Sequence, residues 1–354
     1  MRPGPIAVLA LAVLPACSSP KKDEGPREPT ASEREVAALR AEGAELARAG
    51  KYREAADRFK SACVVDPRDV KSQYDLAVVL DDARDWTGAA EAYERVLVLD
   101  PRIALAHHNL GEVALARGDR ARARRAFEQA AELDPDFALT WIDLARVEVE
   151  DGNPGAAVRV LERATARLDL PPVWYHLGLA RELANDPARA QEAFEHAIKM
   201  DPRHAESLNE LALIHEARRE VDEAIALWQR AVEADPRCVE AEKNLGIALY
   251  KRKDKGYLAL RHLKAYVDLG GKDERVARWV SEIREAVRTY RTDDRASAVF
   301  DRFEPGRLFT ADQSFVLRDD GVAARAAGLK KGDRVRVVFE SAASPRVVDL
   351  VRVP

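Results

Sequence analysis

Cysteine is scarce in this sequence: three in 354 residues, at Cys17, Cys63 and Cys238. That count excludes a disulfide-stapled scaffold. Cys63 and Cys238 stand many helix layers apart in the repeat pattern described below, beyond disulfide reach, and read as small buried residues. Aromatics make up only 6%, and the longest apolar run, Ile6–Leu14, is too short to span a bilayer as a helix. A basic excess is missing too: Lys and Arg number 57 against 61 Asp and Glu, a net charge of −4, which argues against nucleic acid as a partner. The motifs of catalysis are absent: no Gly-rich phosphate loop, no G-x-S-x-G and no H-E-x-x-H. His107 and His108 are neighbours that point apart on a helix, and no third ligand stands at metal spacing, so neither metal nor cofactor is expected. The last 60 residues lack both His and Cys, leaving no nucleophile–base pair there, and the chain reads as a non-enzyme with no small-molecule substrate.

What the sequence has is repetition. Leu105–Pro135 contains two helix-period apolar patterns, broken by Gly118-Asp119 and stopped by Asp134-Pro135. The pattern recurs about every 34 residues. Asp-Pro closes units at Pro67, Pro101, Pro135, Pro202 and Pro236; the fourth unit is one residue short, and Pro171-Pro172 open the fifth. A small residue recurs in the first helix at Gly43, Ala77, Gly111, Ala145, Gly178 and Ala212. A bulky one recurs in the second at Phe59, Tyr93, Phe127, Leu161, Phe194 and Trp228, flanked by alanines such as Ala123 and Ala130. Such spacing lets two helix backbones approach while the ring fills the gap beyond. Two short helices cannot bury their shared apolar face alone, so copies must stack.

These residues resemble the tetratricopeptide repeat (TPR). The resemblance implies a mostly α, right-handed α-solenoid of about seven helix pairs. The seventh pair starts at Val239, and its second helix, from Tyr257, is shifted by about one residue. The repeats cover 32–272, with Ser32 and Glu35 as a capping box at their start. A capping helix follows at 273–292, with Val276, Trp279, Val280, Ile283, Val287 and Tyr290 on one stripe. From 296 to 354 the period shifts towards 2. Strands are predicted at Ser314–Arg318, Asp333–Glu340 and Arg346–Val353, with turns at Asp320-Gly321 and Gly332-Asp333, making a small C-terminal β module. Ala327–Asp333 resembles a stretch of PDZ domains; a small barrel of OB or SH3 type is the favoured alternative.

The N-terminus has a different logic. Arg2, the run Ile6–Leu14 and then Leu14-Pro15-Ala16-Cys17 resemble a lipoprotein signal peptide, residues 1–16, with its lipobox. The resemblance implies that Cys17 is acylated, palmitate included, and that residues 17–31, rich in proline and charge, form a disordered tether. Ser18 after that cysteine points to the outer membrane of a bacterium, with the repeats facing the periplasm.

In TPR proteins the first helices line a concave groove that holds a peptide or partner helix. Carried onto this sequence, the groove comprises Lys71, Tyr74, Val78, His108, Asn109, Glu112, Ile142, Arg146, Tyr175, Leu179, Asn209, Leu213, Lys243, Asn244, Ile247 and Tyr250, and its Tyr, Ile and Leu are expected to be exposed. Asn109 and Asn244 occupy the position at which some TPR proteins grip a peptide backbone. The whole resembles envelope TPR lipoproteins: pilotins of the PilF, PilW and Tgl type, gliding-motility TPR lipoproteins and NlpI-type adaptors. It implies a non-enzymatic protein–protein interaction scaffold, lipid-anchored in the cell envelope, that assists assembly of an envelope or motility complex of the pilus or secretin type. The alternative is an adaptor presenting partners to an envelope protease or peptidoglycan hydrolase.

Overall fold

The computed structural model describes residues 28–251 and 256–282, and strand backbones between 297 and 353. The signal peptide 1–16, Cys17, the tether up to residue 27, the capping-helix residues beyond 282, both predicted turns and the PDZ-like stretch 327–333 lie outside the described residues.

The helices come in seven pairs: α1 Ala31–Arg48 and α2 Tyr52–Val65; α3 Val70–Asp82 and α4 Trp86–Leu99; α5 Ala104–Ala116 and α6 Arg120–Leu133; α7 Ala138–Glu150 and α8 Pro154–Thr165; α9 Pro171–Leu183 and α10 Pro187–Met200; α11 Ala205–Ala217 and α12 Val221–Ala234; α13 Val239–Lys251 and α14 Gly256–Asp268. A further helix, α15, occupies 274–282. The first helix starts earlier than the Ser32–Glu35 box predicts. Thr30 is the N-cap: its Oγ1 accepts from Glu33 N at 3.2 Å while Glu33 Oε2 accepts from Thr30 N at 2.7 Å. T-x-x-E and S-x-x-E overlap here, and Ser32 falls inside the first turn.

Local chemistry accounts for several of the boundaries. Asp85 and Asp119 cap second helices, accepting from Gly88 N at 3.1 Å and Arg122 N at 3.0 Å. After each Asp-Pro the aspartate folds back on its own backbone, as in Asp66 accepting from Arg68 N at 2.9 Å and Asp100 from Arg102 N at 3.0 Å. The turn inside each of the first six pairs needs a left-handed residue. Gly50, Gly118 and Gly152 supply it at φ 75°, 80° and 77°, whereas Arg84, Asn185 and Arg219 occupy the same turn position at about 62°, 61° and 65°.

The chain divides between Ala193 and Phe194 into two compact units. In the first, the predicted ring-against-glycine packing holds. Phe59, Phe127 and Leu161 are fully buried or within 1% of it, and a Cβ on Gly111 would lie 2.6 Å from Phe127 Cε1. Gly43 stands in the same relation to Phe59, at 2.8 Å. The fourth pair solves the problem differently, with Ala145 and the smaller Leu161. Gly111→Ala is therefore expected to destabilise. Overpacking costs about 1–3 kcal/mol, and the better helix propensity of alanine returns ~1 kcal/mol, a net loss of up to about 2 kcal/mol. Adding Phe127→Leu, which copies the fourth pair, should recover part of the loss; urea unfolding of the single and double variants checks this through their non-additivity.

In the second unit, Phe194, Trp228 and Leu263 are the buried bulky residues, and a Cβ on Gly246 would lie 2.5 Å from Leu263 Cδ2. The one-residue shift of the seventh second helix is visible in that pairing. Val276 and Val280 of α15 are buried in the same cluster as Leu263 and Tyr266, so the described part of the capping helix covers the last pair. Beyond it the backbone forms β1 Ser297–Glu304, β2 Arg307–Thr310, β3 Ser314–Val316, β4 Arg334–Phe339 and β5 Val347–Val353, antiparallel in the order β3-β2-β1-β4-β5. The central strand β1 and its hairpin partner β2 are additional to the three strands read from sequence. Acidic and basic residues interrupt β1 (SAVFDRFE), which hides its alternation.

Candidate functional site

The residues assigned to a groove lie on the first helices, but they do not share one environment. Tyr74 on α3 is only 2% exposed. Its hydroxyl accepts from Asn109 Nδ2 at 3.0 Å, and the same amide donates to Tyr93 Oη at 3.1 Å. The two tyrosine rings meet edge-on, centroids 5.9 Å apart, and burial drives both phenol pKa values up. Tyr74 is thus a core residue and not an exposed anchor, and Asn109 is engaged by it rather than free to grip a peptide. Val78 and His108 are also buried, 5% and 4% exposed. His108 sits against the rings of Phe127 and Phe137, with Nδ1 3.1 Å from Thr140 Oγ1. Desolvation first, and the Arg146 charge second, lower its pKa from 6.5 to about 4. Sequence periodicity sets these residues on the first helices, but their burial depends on how closely the neighbouring pair stacks.

Next to His108 is a charge cluster. Arg146 donates to Asp143 Oδ1 at 2.8 Å and to Glu112 Oε1 at 2.7 Å, tying α7 to α5. Asp143 is 7% exposed. Burial, then the Glu112 charge, push its carboxyl up to about 6 even though Arg146 pulls the other way. Arg40 and Asp75 form a second such pair, Nη2 to Oδ2 2.6 Å, and burial again lifts the carboxyl to about 6 against the pull of Arg40. Neither Arg40 nor Asp75 stands in the sequence-derived set. The signal that finds them is spacing: Arg40–Asp75, Tyr74–Asn109 and Glu112–Arg146 each bridge consecutive first helices one repeat apart.

Lys71 on α3 is exposed, and the apolar members of the set that stay accessible in the first unit lie across α7 and α9. Ile142 and Tyr175 hold the same position of consecutive first helices and are half-buried; Leu179 is half-buried one turn on, and Arg146 is exposed at its edge. The edge of Tyr175 meets His176, ring centroids 5.2 Å apart.

In the second unit Asn209 is 2% exposed and serves structure: its Oδ1 accepts from Trp228 Nε1 at 3.1 Å and from Asn244 Nδ2 at 2.9 Å. Both expected peptide-gripping asparagines, Asn109 and Asn244, therefore bond within the protein. Tyr250 stacks on Trp279 of α15, centroids 5.0 Å apart and planes 25° apart. Lys243 places Nζ 5.9 Å from the Tyr266 ring centre. Leu213, Ile247, Lys243 and Tyr250 are half-buried.

Cys63 and Cys238 are free thiols, half-buried rather than fully so, and burial raises each to about 11, which makes them poor nucleophiles at neutral pH. Among the described residues no group of three or more His, Cys, Asp or Glu could hold a metal ion, and no helix is long and apolar enough to cross a membrane.

Comparison with known proteins agrees with this architecture. Two family models, both described as tetratricopeptide repeat, match the chain, one at 40–107, 175–236 and 217–273 and the other at 114–178. The photosystem I assembly protein Ycf3 of Synechococcus sp. (strain WH7803) is 31% identical over 83 residues, 23% of this chain and 48% of that protein. The chain thus spans about half the length of the curated relatives it matches. A tetratricopeptide repeat protein from Parabacteroides merdae superposes with a TM-score of 0.53 at 11% identity, covering 71% of this chain and 99% of that one. Yeast Tom70 gives 0.52 at 20%, covering 73% and 55%. The matched repeat spans take in more than half of the sequence: the chain belongs to the tetratricopeptide-repeat family.

Proposed function

We propose that this protein is a lipid-anchored, non-enzymatic scaffold of the bacterial cell envelope, held at the outer membrane through Cys17 and facing the periplasm, where it assists assembly of an envelope or motility complex of the pilus or secretin type. Proteins of this family act as protein–protein interaction scaffolds. The observation that carries the reading is the accessible first-helix surface at Ile142, Tyr175 and Leu179. It leaves apolar side chains half in solvent beside the exposed Arg146, the mixture that an interface core and its polar rim require. Ycf3 is named as an assembly protein, which favours assembly over the alternative of an adaptor for an envelope protease or peptidoglycan hydrolase. The anchor rests on the Leu14–Cys17 pattern behind an apolar run. Partners are envelope proteins or peptide segments.

Two variants test it. Cys17→Ser should move the protein from the membrane fraction to the soluble fraction; retention after a high-salt wash would remove the anchor. Tyr175→Ala should leave the melting temperature within a few degrees, because the ring is only half-buried. It should lose most of the partner captured from cross-linked envelopes, since truncating an aromatic anchor commonly costs ~2 kcal/mol or more of binding. Undiminished capture would move the docking surface elsewhere.

A further inference from the structure

Away from the first-helix face, the first unit has a cleft of about 630 Å³ between the C-terminal halves of α2 and α4 and the first turns of α3. Lys60, Cys63, Val64, Gln73, Arg95 and Val98 are among its lining residues. Its origin is a substitution within the repeat. The position of Gln73 carries His107, Trp141 and Trp174 in the next three pairs. There the ring points back at the segment that precedes its helix. Trp141 Nε1 donates to Pro135 O at 2.9 Å, Trp174 Nε1 donates to Asp169 Oδ1 at 2.8 Å, and His107 Nε2 lies 3.0 Å from Pro101 O. In the second pair the shorter amide leaves the space beside Pro67 open. Gln73 is only 5% exposed, and its Oε1 is buried with no hydrogen-bond partner. A buried acceptor left unmade costs about 1–3 kcal/mol, so this one is poised to receive a donor.

The mouth of the cleft differs from its counterparts as well. Val64 and Val98 flank it at 79% and 84% exposure. The same position holds Glu132, Ala166, Lys199 and Glu233 in the four following pairs, so two bare valines side by side are peculiar to this place. Lys60 stands where the next four pairs carry Glu94, Glu128, Glu162 and Glu195. Arg95 adds a second cation, with Glu91 at 3.8 Å. The rim is therefore apolar and positive, in a chain whose net charge is negative.

We propose that this cleft docks a tryptophan side chain of a partner protein segment with acidic residues on either side of it: the indole N–H donates to Gln73 Oε1, the ring lies between Val64 and Val98, and the flanking carboxylates meet Lys60 and Arg95. The chain itself places an indole with its N–H on an oxygen acceptor at this position in two other pairs, so the chemistry is one that this scaffold already accommodates. The indole must come from another molecule, because all five tryptophans of this chain, Trp86, Trp141, Trp174, Trp228 and Trp279, are committed to its own helices. The site is independent of the face at Ile142, Tyr175 and Leu179.

The test uses the full chain and a fluorescein-labelled peptide bearing one tryptophan between glutamates, read by fluorescence anisotropy. Saturable binding is expected, weakened tenfold or more when the peptide tryptophan becomes alanine or its glutamates become lysines. Gln73→Trp, which closes the cleft as in the fourth pair, should weaken binding tenfold or more while leaving the helical circular dichroism intact. Val98→Glu alters only an exposed side chain and should weaken it severalfold by repulsion, so it keeps the test sound if Gln73→Trp perturbs folding. Lack of saturable binding, equal binding of the alanine peptide, or indifference to Val98→Glu would overturn the proposal. So would a dimer in sedimentation that Val98→Glu dissolves, since a second copy would then occupy the cleft.

Discussion

Replacing Arg146 with glutamate should destabilise the protein by about 3 kcal/mol, the low end of the range for breaking one side of a buried ion pair. The low end applies because the arginine side chain is 45% exposed while that of Asp143 is only 10% exposed. The variant leaves the Asp143 carboxylate buried without its cation and sets a third acid beside Glu112, which loses its 2.7 Å contact. Arg146→Met should cost less, because it removes the clamp without adding repulsion. In both variants the loss should shrink as pH falls and Asp143 takes up a proton. A melting temperature unchanged at pH 7.5 would show that the cluster contributes nothing to stability. The consequence for docking experiments is direct: Arg146 edges the accessible surface, yet a charge reversal there confounds folding with binding, so Tyr175 is the cleaner probe.

The second large effect concerns pH itself. Asp75 and Asp143 are each raised from 3.8 to about 6 in the folded chain. Their contribution to stability is fully present below 3.8 and is lost as pH rises through 6. His108 runs the other way: it is lowered from 6.5 to about 4, so its contribution is present above 6.5 and is lost as pH falls through 4. Near pH 5 the folded chain holds two protons on the aspartates where the unfolded chain holds one on the histidine. The excess makes folding more favourable as pH falls, by at most ~1.4 kcal/mol per unit, and by about 1 kcal/mol in all between pH 7 and 5, because the unfolded histidine takes up its own proton over the same interval. The urea midpoint should be higher at pH 5 than at pH 7. His108→Gln should roughly triple the gain and Asp143→Asn should abolish it. A midpoint that falls steadily from pH 7 to pH 5 would contradict these assignments.

The repeats were legible because their determinants are local. Asp-Pro turns, Gly-Asp breaks and the alternation of small and bulky residues each act within one helix pair, and each appears in the sequence at a fixed offset. The environment of the first-helix face was not legible to the same degree. Periodicity assigns Tyr74, His108, Ile142 and Tyr175 to equivalent positions, yet two are buried and two are half-exposed. The difference lies with partners one repeat away. Tyr74 is covered because Asn109 and Tyr93 meet it, and His108 because Phe137 and Thr140 do. Reading the sequence at an offset of one repeat, rather than along one helix face, brings out Arg40–Asp75 and Glu112–Arg146. Gln73 does not stand out in the sequence, because glutamine on a helix is ordinary until it is set against Trp141 and Trp174 at the same repeat position.

The cross-links between first helices also bear on how the chain reaches this structure. Each of the side-chain bonds named here joins residues no more than 35 apart. Closing loops of that size costs little entropy, and each doubling of loop length adds only ~0.6 kcal/mol. None of these bonds has to wait for distant parts of the chain to meet, so helix pairs can assemble on their immediate predecessor as the polypeptide emerges. Helix pairs near the N-terminus can thus be in place while those near the C-terminus are still being synthesised, and the chain acquires its order progressively rather than in one concerted collapse.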